Sequence, residues 1–361
     1  MNFYLVLLKM SKQDKQFMQR ALQLAAYGKA TVSPNPMVGC VIVYEGKVIG
    51  EGWHQKAGQP HAEVIAIRSV KEQDLLKSAT AYVTLEPCAH YGKTPPCAEL
   101  LVEQQLKRVV IGAVDPNPLV AGKGIALLTD AGIDVETGML EHECLALNSV
   151  FFTFIQKRRP YIILKWAETA DGFIARENGD SKWISNTLSR QLVHKWRTEI
   201  DAILVGKNTT KYDNPQLTTR DWPGKNPTRL VIDHQLALSS DLKVFDGEQR
   251  TIVFNSKSEE KGKAKVEFVR LEEADFLQNM MEYLHKEKIQ SVLVEGGAQT
   301  VQNFIDAGLW DEARIFTAAG SFRNGIKAAQ LKQQTLVSQE GIQDMNQTDI
   351  LSIYHNTSLK S

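Results

Sequence analysis

His61, Cys88, His90 and Cys97 fall in two short stretches, PHAEVIAI at 60–67 and EPCAHYGKTPPC at 86–97, and Glu63 follows the first of them by two residues. A neutral imidazole and two thiolates make a zinc set that leaves one tetrahedral position open to water. Zinc lowers the pKa of such a water towards neutrality, and a carboxylate beside it can take and return protons. On a helix beginning near His61, Glu63 points aside from the metal yet stays in the same first turn. Cys88 follows Pro87 at a strand-to-helix transition, where helix N-terminal N–H groups favour thiolate. Four protein ligands would close the site to water and mark a structural metal instead. The expected ligands are therefore His61, Cys88 and Cys97, with His90 left out.

The elements that must position these residues alternate between two periodicities. Ser11 caps a helix through KQDKQFMQRALQLAAYGKA, whose Phe17, Ala21, Leu24 and Ala25 repeat at helical spacing. MVGCVIVYEGKVIGEG reads as two strands joined at Glu45-Gly46. HAEVIAIRSV is a helix, ATAYVTLEP a strand, CAELLVEQQL a helix and RVVIGAVDP a buried strand. A short helix, the strand IDVET and a helix through CLALNSVFFTFIQ complete the run. Pro160 opens a fresh alternation: strands YIILKWAET, DAILVG, TRLVID, TIVFN, SVLVEGG and EARIFTAA, with helices TLSRQLVHKWRTE, ADFLQNMMEYLHKE and QTVQNFIDAG. Strands alternating with helices predict covered, largely parallel sheets. The chain of 361 residues exceeds one average domain, and the expected division is 1–157 and 158–361, both α/β.

Lys+Arg and Asp+Glu each number 42, so the formal charge is zero and nothing offers the broad basic surface that nucleic-acid backbones need. No run approaches transmembrane length, and MNFYLVLLKM lacks the basic flank, core length and cleavage site of an export signal. We read it as a leading extension, with Met10 as an alternative start. Four cysteines in so long a chain are no disulfide scaffold, and Cys40 and Cys144 read as buried small hydrophobes. The expected compartment is the cytoplasm, with no membrane or nucleic-acid partner.

H-x-E followed by P-C-x-x-C is the ligand pattern of zinc nucleobase deaminases. HAE and PC fit it, but AHYGKTPP lengthens the gap between the cysteines and suggests a substrate-contacting loop on the common core. TVSPNPMVGCVIV, GWHQKAGQPHAE, TLEPCAHYGKTPPC and VVIGAVDPNPLVAGKG together resemble the deaminase half of the bifunctional riboflavin-biosynthesis deaminase/reductase. The resemblance implies a cytidine-deaminase-like α/β/α layer with zinc on His61, Cys88 and Cys97 and Glu63 as proton shuttle. It implies removal of the 2-amino group of 2,5-diamino-6-(5-phosphoribosylamino)pyrimidin-4(3H)-one. Asn35, His54, His90, Lys93, Asp115 and Asn117 would line the substrate pocket. An amide suits a ring amide, and lysine and imidazole suit a phosphate dianion. SPNP and DPNP are also good turn sequences in their own right.

In the second half, LVEGGAQTVQNFIDAG joins a buried strand to a helix through a glycine pair. It reads equally as an ordinary turn or as an anion site at a helix N-terminus. YIILKWAETADGFIA, SKWIS, VGKNTTKYDNPQLTTR, RLVIDHQ and LVEGG resemble the reductase half, which implies a dihydrofolate-reductase-like fold, NADPH, and reduction of the ribosyl unit to ribityl. By that likeness Ala167, Trp183, Thr209, Asp213 and Gly297 contact NADPH. Lys165, Ser181, Arg197, Leu217, Arg220 and Glu295 face substrate, although Arg197 in HKWRTE also reads as the solvated end of a helix. The family's serine–leucine pair before DG is Thr169-Ala170 here, which puts the local geometry near the nicotinamide in question. Such enzymes are often oligomeric, but nothing in the sequence sets a subunit number. Two other functions compete. One is a zinc deaminase of a nucleoside or RNA base with a non-catalytic C-terminal domain, which would fail to bind NADPH. The other is a non-catalytic protein whose zinc shell His90 completes.

Overall fold

The computed structural model describes residues 11–91, 95–117, 121–258, 260–261, 265–345 and 347–357. Lys93 and the leading segment with Met10 lie outside the described residues. The chain divides after Arg158 into two compact units.

The first unit is built on five strands: β1 (Gly39–Tyr44), β2 (Lys47–Trp53), β3 (Thr80–Leu85), β4 (Arg108–Ala113) and β5 (Asp134–Thr137), in the order β2-β1-β3-β4-β5. β1 runs antiparallel to β2 and β3, whereas β3, β4 and β5 are parallel. Helices α1 (Lys12–Ala26), α2 (Ala62–Ser69), α3 (Cys97–Glu103), α4 (Lys123–Asp130), α5 (Glu141–Leu147) and α6 (Ser149–Lys157) cover both faces. The strand period of two divides the core between them. Cys40 and Ile42 pack with Ala62, Ala98 and Leu128 of α2–α4, and Val41 and Val43 pack with Met18, Cys144 and Phe151 of α1, α5 and α6. This is the expected α/β/α layer, and Cys40 and Cys144 are fully buried in it. Ser11 caps α1 reciprocally, accepting from Asp14 N–H at 3.0 Å while its own N–H donates to Asp14 Oδ2 at 3.1 Å.

The expected single helix through CLALNSVFFTFIQ is broken between α5 and α6. Asn148 spends its side chain elsewhere: its Oδ1 accepts from Met37 N–H at 2.8 Å and its Nδ2 donates to Met37 O at 2.9 Å. An asparagine that bonds distant backbone gives up helix geometry to do so.

α2, which carries the first metal-ligand candidate at its start, lies directly on β2. A Cβ on Gly52 would meet Ala62 O and Ala66 N at 2.5 Å, and one on Gly50 would meet Ala66 O at 2.5 Å. Gly52→Ala must therefore lift α2 off the sheet. We expect it to cost about 1–3 kcal/mol of stability and to weaken zinc binding, both read by thermal melts and a competitive zinc titration. Unchanged zinc affinity would show that His61 is placed by its loop and not by the helix.

The second unit holds β6 (Tyr161–Thr169), β7 (Phe173–Ala175), β8 (Ala202–Gly206), β9 (Thr228–Ile232), β10 (Thr251–Asn255), β11 (Glu260–Lys261), β12 (Val266–Arg270), β13 (Ser291–Val294), β14 (Glu312–Ala318), β15 (Ile326–Lys327), β16 (Gln334–Gln343) and β17 (Thr348–Asn356). Ten of these form one sheet, ordered β11-β12-β10-β9-β8-β13-β6-β14-β17-β16, and β7 pairs with β15 apart from it. From β12 to β14 the neighbours are parallel; β11, β17 and β16 are antiparallel additions. Helices α7 (Thr187–Thr198), α8 (Lys207–Asp213), α9 (Phe276–Lys286) and α10 (Ala298–Asp306) follow the strands. Leu204, Leu230 and Ile252 pack one face with Met280 and Phe304, while Ile203, Val231 and Val253 pack the other. Nine of the ten residues of β16 are exposed, so no burial alternation marks it. No helix among the described residues is long and apolar enough to cross a membrane.

Candidate active sites

Three of the four metal-competent side chains converge in the first unit. His61 is the extended N-cap of α2 and has no side-chain capping bond, so its ring is free to face α3. Its Nδ1 lies 3.3 Å from Cys97 Sγ and 3.6 Å from Cys88 Sγ, and the three ligand atoms all sit within 4.8 Å of one another. Zinc bonds of about 2.0–2.1 Å to nitrogen and 2.3 Å to sulfur, at the tetrahedral angle, place N and S about 3.6 Å apart. The donor set and spacing thus fit zinc. His90 is exposed and stands outside this cluster, so it does not close a four-ligand shell.

Cys88 is held by the start of α3. Its sulfur accepts the Cys97 N–H at 3.3 Å, and its carbonyl accepts the Ala98 N–H at 3.1 Å. Hydrogen bonding from the Cys97 thiol, with the His61 imidazole adding to it, brings the Cys88 thiol down to about 4; the same pairing and burial push Cys97 up. Glu63 is 3% exposed, and burial, reinforced by the Cys88 thiolate, raises its carboxyl to about 6. A buried carboxyl with an affinity for protons near neutrality suits a group that must both accept and release one.

Around this centre the structure sorts the other predicted residues. Asn35 Nδ2 lies 3.0 Å from His54 Nε2, and His54 Nδ1 lies 3.2 Å from Pro60 O. A carbonyl only accepts, so Nδ1 carries the proton and Nε2 accepts from the Asn35 amide. His54 is 2% exposed, with both ring nitrogens engaged. Its bond to the Asn35 amide holds that side chain in place. Asp115 is buried and accepts Asn117 N–H at 2.8 Å; burial raises its carboxyl to about 6. Two residues escaped the sequence reading. Asn148 anchors Met37 in the loop that carries Asn35, and Glu86 gathers the backbone beside Asp115. The signal for Glu86 was a charged residue closing the apolar strand AYVTL.

In the second unit a cavity of about 790 Å³ opens at the C-terminal ends of the parallel strands. Ala167, Trp183, Thr209, Asp213 and Gly297 all line it, as do Lys165, Ser181, Arg197, Leu217, Arg220 and Glu295. Gly297 caps α10 without a side-chain bond, leaving the first N–H groups of that helix open to an anion. A Cβ there would meet Thr209 Oγ1 at 3.2 Å, so bare backbone borders the cavity. An open helix start on a cavity of this size fits a dinucleotide pyrophosphate. Arg197 is no solvated helix end. Its Nε and Nη2 donate to Glu295 Oε1 and Oε2 at 2.9 and 2.8 Å, and Nη1 donates to Thr218 O at 3.0 Å. Lys165 is desolvated beside this pair, which lowers its pKa although Glu295 opposes the shift. The Arg190 guanidinium stacks on the exposed Trp183 ring at 4.6 Å. Thr169 donates from Oγ1 to Asp171 at 2.6 Å and accepts Phe173 N–H at 3.1 Å. The departure at this position thus keeps a hydroxyl in the turn.

A zinc-competent centre beside a buried carboxyl in one unit and a dinucleotide-sized cavity in the other fit a bifunctional enzyme, a hydrolytic deaminase joined to a reductase. Residues 11–113 match the cytidine and deoxycytidylate deaminase zinc-binding region, and residues 160–353 match the RibD C-terminal domain. Riboflavin biosynthesis protein RibD of Aquifex aeolicus is 43% identical over 323 residues, 88% of this chain and 90% of its own length. That of Escherichia coli is 39% identical over 327 residues, 85% of this chain and 88% of its own. The crystal structure of a diaminohydroxyphosphoribosylaminopyrimidine deaminase/5-amino-6-(5-phosphoribosylamino)uracil reductase from Thermotoga maritima superposes with a TM-score of 0.87 at 39% identity, covering 95% of this chain and 99% of that one. The chain belongs to the RibD family of bifunctional riboflavin-biosynthesis deaminase/reductases.

Proposed function

We propose that the first unit hydrolyses the 2-amino group of 2,5-diamino-6-(5-phosphoribosylamino)pyrimidin-4(3H)-one and that the second reduces the ribosyl unit of the product to ribityl. The observation that carries this reading is the pairing of the His61–Cys88–Cys97 set with Glu63, buried in the first turn of the helix that His61 caps. His61, Cys88 and Cys97 would hold zinc, which when bound would supply Lewis acidity to a water near neutral pH. Glu63 takes a proton from the attacking water and delivers one to the departing amino group, so the C–N bond breaks, ammonia leaves and the new C=O forms. Asn35, oriented by His54, and Asp115 with Asn117 hold the pyrimidine; His90 faces its phosphate, and the ammonium of Lys93 complements that charge.

Reduction adds one hydride and one proton across the open form of the ribosylamine. Ala167, Trp183, Thr209, Asp213 and Gly297 would hold NADPH, which when bound would supply the hydride. Lys165, Ser181, Arg197, Leu217, Arg220 and Glu295 hold the substrate, and the Arg197–Glu295 pair fixes the wall beside Lys165. Four free cysteines, two of them metal-ligand candidates, suit the reducing cytoplasm.

Incubating the zinc-loaded protein with the diaminopyrimidinone ribosyl phosphate and NADPH tests both steps at once. Ammonia release followed by loss of NADPH absorbance is expected. Ammonia without NADPH loss would favour the deaminase with a silent second unit, and zinc binding without ammonia would overturn the catalytic reading.

A further inference from the structure

Glu86 closes β3, two residues before Cys88, and its side chain is 4% exposed. Its own N–H continues the β3–β4 ladder by donating to Ala113 O at 2.9 Å. The carboxylate then accepts four backbone N–H groups from one remote segment. Oε2 takes Asp115 N–H at 3.3 Å and Gly122 N–H at 3.0 Å, and Oε1 takes Gly124 N–H at 3.0 Å and Ile125 N–H at 3.3 Å. Two oxygens with four lone-pair sites and no proton match four donors; no neutral side chain of this size does.

The four donors have a pattern. Asp115 opens the loop that carries Asp115 and Asn117, while Gly122, Gly124 and Ile125 belong to the start of α4, where that loop ends. One carboxylate therefore clasps both ends of the loop. The N-cap of α4, Gly122, has no side chain to satisfy the helix's first N–H groups, and Glu86 does it from another strand. The approach is close: a Cβ on Gly124 would lie 2.0 Å from Pro87 O, the carbonyl that leads into Cys88. The loop bearing Asp115 and Asn117 is thereby fixed to the same short stretch that sets a metal ligand.

We infer that Glu86 is the positioning residue for substrate in the deaminase site, fixing the distance between the pyrimidine-holding loop and the metal-ligand strand end. It touches no substrate and acts through Asp115 and Asn117. The inference rests on the reading in which Asn117 contacts the pyrimidine.

The test uses full-length, zinc-loaded protein and four forms: parent, Glu86→Gln, Asn117→Ala and the double variant. An amide at 86 turns an NH2 towards two of the four donors, so the loop loses its clasp without losing volume. A displaced loop loses contacts made equally in the ground and transition states, which raises KM more than it lowers kcat, so Glu86→Gln is expected to raise the deaminase KM about ten- to a hundredfold. Its kcat should change less than KM, its zinc content should hold, and the reductase rate on deaminated substrate should stay at the parent value. If Glu86 acts through Asn117, adding Asn117→Ala to Glu86→Gln costs much less than Asn117→Ala alone costs the parent.

Glu86→Asp keeps the charge but shortens the reach, and should fall between parent and Glu86→Gln. Asn117→Ala with an unchanged KM would fail the substrate-contact reading itself. A raised KM for Asn117→Ala beside an unchanged one for Glu86→Gln, or fully additive costs, would overturn the positioning role alone. Loss of zinc and of the folded deaminase unit in both Glu86→Gln and Glu86→Asp would overturn it in favour of a purely structural carboxylate.

Discussion

Glu63→Gln is expected to abolish ammonia release almost completely, lowering the deaminase rate by about 10²–10⁴-fold, the usual contribution of a positioned acid–base group. The substitution keeps shape and volume in a position only 3% exposed, so packing is retained. What it removes is the ability to hold a proton between water and leaving group, and no other carboxylate is placed in the first turn of α2. Zinc content, measured by metal analysis, should match the parent. NADPH oxidation on substrate already deaminated should be unchanged. Deaminase activity within tenfold of the parent would remove Glu63 from the chemistry.

Arg197→Met is expected to have the largest effect on the second unit. The Arg197 and Glu295 side chains are each 11% exposed and pair through two bonds. Taking one partner away strands the other charge, which costs about 3–5 kcal/mol. For a unit of this size that is a fall in Tm of roughly 6–20 °C. Burial opposes ionisation of Glu295, but Arg197 overcomes it and holds the carboxyl down at about 2. A depressed carboxyl stabilises the fold above its ordinary pKa and loses that contribution as pH falls through the folded value. The gap between parent and variant should therefore be widest above the ordinary carboxyl value of 4.5 and narrow as pH falls towards 2. Thermal melts across that range decide it. A gap that does not depend on pH would mean that Arg197 contributes packing and not charge.

How much of this was legible beforehand depended on where each residue's partners lie. His61, Glu63, Cys88 and Cys97 could be read because metal chemistry resides in side-chain identity and because each pair is close in sequence. The α/β alternation was equally plain, since buried parallel strands are continuous apolar runs. Arg197 was ambiguous because its partner, Glu295, is 98 positions away, and a helix end with a cation looks solvated until that partner is known. Glu86 and Asn148 were missed for a related reason. Both bond remote backbone, which every residue carries and no motif reports. The tautomer and burial of His54 follow from Pro60 O and Asn35, both set by loop geometry that no motif reports. β16 and β17 went unassigned because β16 lies exposed along nearly its whole length, so pairing and not burial makes it a strand.

Each unit packs its own core and carries its own candidate site. The compound passed between the two reactions is small, so a molecule released by one copy of the chain can be finished by another. An allele carrying Glu63→Gln and an allele carrying a reductase defect should therefore rescue each other when expressed in one cell, though neither supports growth without riboflavin alone. In genetic terms the gene would then behave as two complementation groups written in a single reading frame.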